Sequence, residues 1–192
     1  MAILVHRYDE PDRFVAGTVG QPGERAFFLQ ARAGNRITSV ACEKQQVSVL
    51  AEHLDRVLDE VVRRSSASAV PPSTTRARDT DPLDAPITEE FRVGTMTIAW
   101  DPSIDRVVIE LFSNVDADED DADDAAAVEE GEEVSADEVF VVKITAAYAR
   151  DFVARANALV SAGRPPCPFC LQPLDPEGHI CPRANGYRRP LF

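Results

Sequence analysis

Four side chains able to bind a metal stand close together near the end of the chain, in Cys167-Pro168-Phe169-Cys170 and Gly178-His179-Ile180-Cys181. Two thiols across a two-residue gap can grip one side of a tetrahedral ion, and a close His-x-Cys pair can complete the shell. The spacing predicts a structural Cys3His site for Zn2+ with Cys167, Cys170, His179 and Cys181 as ligands. A shell filled by protein leaves no position for a substrate. Zinc is favoured over iron, because nothing nearby supplies the shielded setting of an electron-transfer centre. The surroundings agree, since Pro165, Pro166, Pro173, Pro176 and Pro182 forbid a helix, and the stretch has too few large apolar residues to fold without metal. Ordinary uncoordinated thiols are the alternative.

Pro166-Cys167-Pro168-Phe169-Cys170 also satisfies half of the zinc nucleobase deaminase signature. Those enzymes require an upstream His-x-Glu or Cys-x-Glu whose glutamate moves protons, and an open coordination position for water. His6 leads into Arg7-Tyr8 and His53 into Leu54-Asp55, so the acid is missing. His179 and Cys181 would fill the open position. Past the ligands, Arg183, Tyr187, Arg188 and Arg189 make a short basic tail with one aromatic ring. Arginine forks can bind phosphate and the ring can stack on a base, or the tail can dock on an acidic protein surface. The remaining chemistry is sparse: no phosphate cradle, dinucleotide fingerprint or hydrolase elbow occurs, so no catalytic and no organic-cofactor residue is assigned. His53 reads as a helix boundary residue, Cys42 as strand core and Trp100 as a strand end.

The net charge of −13 belongs to one segment, because 13 of the 33 acidic residues lie between Asp116 and Glu138 with no basic residue among them. The rest of the chain is neutral, which favours a protein surface over nucleic acid as the partner of the basic tail. A run such as Asp118-Glu119-Asp120-Asp121 repels itself and buries nothing, so residues 115–137 are expected to form a solvated, disordered insertion. Residues 65–86 run Ser65-Ser66-Ala67-Ser68 through Pro71-Pro72 to Asp81-Pro82, and read as a disordered linker. The N-terminus reaches His6, Arg7 and Asp9 before a signal-peptide core can form, and no apolar run is long enough to span a membrane. A cytoplasmic protein is expected.

The elements that position these residues fall into two similar halves. Strands are predicted over Phe14–Val19, Arg25–Gln30 and Arg36–Cys42, followed by a helix whose Val47, Leu50, Leu54, Val57, Leu58 and Val61 recur at three- and four-residue steps. Past the linker, strands are predicted from Phe91 to Trp100 and over Arg106–Leu111, then a third strand and a helix carrying Tyr148, Phe152, Val153, Ala156, Leu159 and Val160 on one face. The acidic insertion falls between the second and third strands of this half. Met1 to Tyr8 adds one strand at an edge. The prediction is an α+β protein of duplicated β-β-β-α units, 1–64 and 87–163, related by a pseudo-two-fold axis, with a zinc knuckle and basic tail at 164–192.

The whole pattern, with Phe91-Arg92-Val93-Gly94-Thr95, Trp100-Asp101 and Cys167 to Arg183 as its most specific stretches, resembles an actinobacterial family of uncharacterised repeat proteins, a domain of unknown function. The resemblance implies the bacterial cytoplasm and no assigned activity. It also implies genes beside those of a histidine-phosphatase-like protein, a phosphoinositide-kinase-like protein and a mycothiol-pathway ligase. Three functions follow as expectations. The leading one is a non-enzymatic adaptor whose knuckle and tail bind a protein, the kinase-like neighbour first. The second is nucleic-acid binding through Arg183, Tyr187, Arg188 and Arg189, and the third an enzyme in the cleft between the halves.

Overall fold

Along Ala26–Ala33, Phe27, Leu29 and Ala31 alternate with Phe28, Gln30 and Arg32. A strand of this pattern buries both faces, one under helices and the other under something else. The computed structural model describes residues 3–21, 23–64, 79–114, 136–163, 167–171, 174 and 179–183. Its elements are β1 (Leu4–Tyr8), β2 (Arg13–Val19), β3 (Ala26–Ala33), β4 (Arg36–Cys42), α1 (Lys44–Arg64), β5 (Glu89–Asp101), β6 (Arg106–Ser113), β7 (Glu138–Ile144) and α2 (Ala146–Ser161). The protein is α+β. Residues 115–135 of the acidic insertion lie outside the described residues, whereas Ala136 is buried and the Asp137 carbonyl accepts from Leu4 N–H at 2.9 Å.

All seven strands share one mixed sheet in the order β1-β7-β6-β5-β4-β3-β2, with β1 at an edge. The two sets of three strands succeed one another in chain order, and β4 pairs parallel with β5, so the halves stand head to tail. The reason is the connection: β4 leads through α1 to β5, and a crossover through a helix delivers a parallel neighbour.

The sheet is curled. Only Asp9–Asp12 join β1 to β2, at opposite ends of the strand order. Such a link reaches at most about 17 Å, while a flat sheet would hold the two strands about 29 Å apart. Curling brings Tyr8 of β1 within 2.9 Å of Thr38 Oγ1 on β4 and places Arg36 over its ring at 4.0 Å. The interior is one core fed by every strand and both helices, including Tyr8, Phe14, Leu29, Leu50, Leu54, Ile109, Phe140 and Phe152. The helices lie together on this side, and Arg150 of α2 pairs with Asp55 and Asp59 of α1. Gln46 fixes the start of α1 by accepting from Glu43 N–H at 2.8 Å and donating to Val93 O at 2.9 Å, where β5 bulges.

The other face of β2, β3 and β4 is covered by the end of the segment expected to be a disordered linker. Residues 79–86 form a strap on the sheet, while 65–78 lie outside the described residues. Leu83 packs on Val15, Phe28 and Ala41. It sits so close to Gly17 that a Cβ there would fall 2.5 Å from its Cγ. The Gln30 amide reads the strap backbone twice, donating to Asp84 O at 2.9 Å and accepting from Asp84 N–H at 2.8 Å. Arg13 uses all five donors: Nε and Nη2 on Asp79 at 2.6 and 2.9 Å, Nη1 on Asp84 and Pro82 O, and Nη2 also on Asp81 O. Arg155 of α2 reaches the same strap, donating to Asp79 and to Asp81 O.

Two tests follow. Gly17→Ala drives a methyl into Leu83 and is expected to cost about 1–3 kcal/mol in urea unfolding. Leu83→Ala makes room for that methyl, so the two losses should add to less than their sum. The Arg13 fork holds the Asp79 carboxyl below the usual carboxylate range. A carboxylate with a lowered folded pKa stabilises above its unfolded value, about 3.9, and that contribution is lost as pH falls toward the folded value. Asp79→Asn should therefore lower the melting temperature at neutral pH, with the gap to wild type narrowing as pH falls below about 3.9.

Candidate metal centre

α2 ends where Ala162 N–H returns to Ala158 O, and Arg25 Nη1 donates to Ala162 O at 2.7 Å, anchoring the helix end to the first half of the sheet. Beyond it the chain makes a tight turn at Cys167–Leu171. Leu171 N–H closes it onto Cys167 O at 2.9 Å, and Phe169 N–H points at Cys167 Sγ at 3.4 Å. This turn places the Cys170 thiol beside that of Cys167, and the second strip brings His179 and Cys181 against them.

The four ligand atoms lie within 4.8 Å of one another. Cys167 and Cys181 Sγ are 3.7 Å apart, and Cys170 Sγ is 3.4 Å from His179 Nε2. With metal–sulfur bonds of about 2.3 Å and metal–nitrogen bonds of about 2.0–2.1 Å, the edges of a tetrahedron come to about 3.8 and 3.5 Å. Cys167, Cys170, His179 and Cys181 can therefore hold a metal ion. The electrostatics favour the thiolate a metal needs at Cys167. Backbone N–H groups of Cys170 and Phe169 pull its thiol down to about 6 against the desolvation that opposes it. His179, donating to the sulfurs of Cys181 and Cys167, is raised, and a metal would have to displace that ring proton to be bound by it. The fourth cysteine, Cys42, takes no part. It is core, and burial pushes its thiol up to about 12.

Arg183, expected to contact a partner or nucleic acid, is exposed and donates from Nη1 to Phe169 O at 3.1 Å, bracing the turn. Tyr187, Arg188 and Arg189 lie outside the described residues. His53 is half-buried on α1. Two features were not anticipated. The centre carries three exposed apolar side chains, Phe169, Leu171 and Ile180, at 60, 73 and 85 % exposure. Leu171 also has φ +63°, a left-handed conformation that glycine adopts without strain. The second is a cavity of about 530 Å³ between β2 and α2, lined in part by Arg13, Asp79, Asp151 and Arg155. Its helical wall was half legible, because Tyr148, Phe152 and Leu159 were placed on one face of α2. Its strap wall was not.

Fold and centre together define an α+β protein with a Cys3His cluster whose ligand atoms could hold a metal ion. The chain belongs to the family described as protein of unknown function (DUF3090), which matches residues 6–181. No curated protein and no solved structure matches it. Among the described residues no helix is long and apolar enough to cross a membrane.

Titrating the metal-free protein with Co2+ should produce the visible absorption of a tetrahedral thiolate site, saturating at about one ion per chain. Cys181→Ser should lose most of that absorption. An octahedral spectrum, or a variant indistinguishable from wild type, would count against the four-ligand centre.

Proposed function

We propose that the centre holds a structural zinc ion and presents an apolar tip to a protein partner, so that the protein works in the cytoplasm as a binding or adaptor module rather than as an enzyme. Three thiolates and one imidazole in a tetrahedron are a ligand set suited to zinc, and four protein ligands leave no position for substrate. The observation that carries the docking role is Leu171. A non-glycine residue in the left-handed region costs about 1–2 kcal/mol, and the Leu171 side chain gains no burial in return, being 73 % exposed. Strain of this kind is retained where the side chain serves something outside the local fold. Phe169 and Ile180 extend the same apolar surface. The phosphoinositide-kinase-like protein is the first partner to test, since the resemblance places its gene beside those of this family.

The test separates metal from docking. Leu171→Gly relieves the backbone, and with Ile180→Ser it removes most of the apolar tip while leaving every ligand. The double variant is expected to keep about one zinc per chain by metal analysis and to lose binding to the purified kinase-like protein, which wild type retains. Equal binding by wild type and variant would remove the tip from the interface. A wild type that does not bind would remove this partner.

A further inference from the structure

We infer that the cavity between β2 and α2 is a binding site for a small organic cation, a primary amine carried on an apolar body. The volume of about 530 Å³ lies within the range of small-molecule sites. Its floor is apolar: Phe14 and Phe152 stack with ring centroids 4.8 Å apart, and Ala154, Ala158 and Leu159 continue the wall along α2. The polar groups are asymmetric in what they still need. Arg13 has every donor engaged, and Arg155 is bonded to Ala16 O, Asp79 and Asp81 O. Arg32 Nε, buried without a hydrogen bond, already faces Asp84 Oδ2 at 3.3 Å. Asp151 differs. It lines the cavity, and its Oδ1 is buried with no hydrogen-bond partner among the described residues.

The Asp151 carboxylate is half-buried in the cavity wall with no ion-pair partner among the described residues, and the group that best complements it is a charged N–H donor. An anion would meet arginines already spent on the strap and would have to break the fold's own bonds to gain new ones. Four aspartates, Asp12, Asp79, Asp81 and Asp151, stand against three arginines around the cavity, so the local field also favours a cation. The apolar floor fits an aryl or branched alkyl group attached to that amine. This site is independent of the metal centre.

Phenethylamine is the probe, titrated into the full-length, zinc-loaded protein by calorimetry, with 3-phenylpropanoate as the anionic counterpart of the same shape. Saturable binding with a Kd on the order of 1 mM or tighter is expected for the amine, and none for the acid. Asp151→Asn should weaken the amine by about tenfold or more. Ala154→Leu keeps Asp151 but fills the cavity, and should abolish binding. Melting temperatures of both variants report whether the fold is intact, and the Ala154→Leu result decides should Asp151→Asn fail to fold. Failure of phenethylamine to saturate, equal binding by either folded variant, or equal binding of 3-phenylpropanoate would overturn the assignment.

Discussion

The four-residue link Asp9–Asp12 is the constraint on which the rest of the structure depends. It joins the two outermost strands of a seven-stranded sheet, and the sheet can satisfy it only by curling. Curling turns what would be two modest half-sheets into the wall of one core, where Phe14 of β2 and Tyr8 of β1 both pack on Phe140 of β7. Small separate units would each bury too little apolar surface to be stable alone. It also lets the second half serve the first: α2 follows β7 in the chain yet lies against β2, capping that edge strand with Tyr148, whose hydroxyl accepts from Phe14 N–H, and with Arg155, which donates to Ala16 O. Exposed strand edges invite pairing with other chains, and side chains from a covering helix remove the opportunity.

The strap completes the arrangement from the other face. Burying an arginine is costly unless every donor is satisfied, and Arg13 is satisfied only when residues 79–84 are in place. Hydrogen bonds to Asp79 and Asp84 raise the Arg13 pKa against the desolvation that lowers it, so the charge is kept. Arg155 has the opposite balance, with burial as the largest influence on it. Sharing Asp79, the two arginines tie β2, α2 and the strap into one unit, and that unit frames the cavity. Asp151 remains a carboxylate in its wall that no arginine among the described residues pairs with.

What was legible in the sequence was periodic or closely spaced. Strand alternation in Arg36–Cys42, the three- and four-residue rhythm from Val47 to Leu58, and the Cys-x-x-Cys with His-x-Cys pair each report a local geometry that few alternatives share. The head-to-tail order of the halves was not legible, because a repeat of β-β-β-α is compatible with either arrangement and only strand pairing decides between them. The strap was misread for a physical reason. Thr80, Asp81, Pro82 and Asp84 have the composition of a linker, and the partners that order them, Arg13, Gln30 and Gly17, lie more than fifty residues away in the chain. Propensity does not carry such long-range compensation. Leu171 was invisible in the same way, since a left-handed turn is normally signalled by glycine.

The metal centre inverts the usual relation between burial and residue type. In most domains apolar side chains go inside and polar ones stay out. Here, among the described residues of the terminal segment, the buried ones are Cys167 and Cys181, at 3 and 4 % exposure, while Phe169, Leu171 and Ile180 face solvent. A segment this short cannot fold by burying such side chains against each other, but coordination of a metal can supply the folding free energy instead. With a metal holding the turn, as proposed, its apolar residues would be released from any duty to a core. They would then offer a rigid surface whose conformational entropy is already spent before a partner arrives, which is the condition under which a few apolar side chains bind well. On the proposed reading metal and docking tip are one device, in which coordination offsets the strain at Leu171.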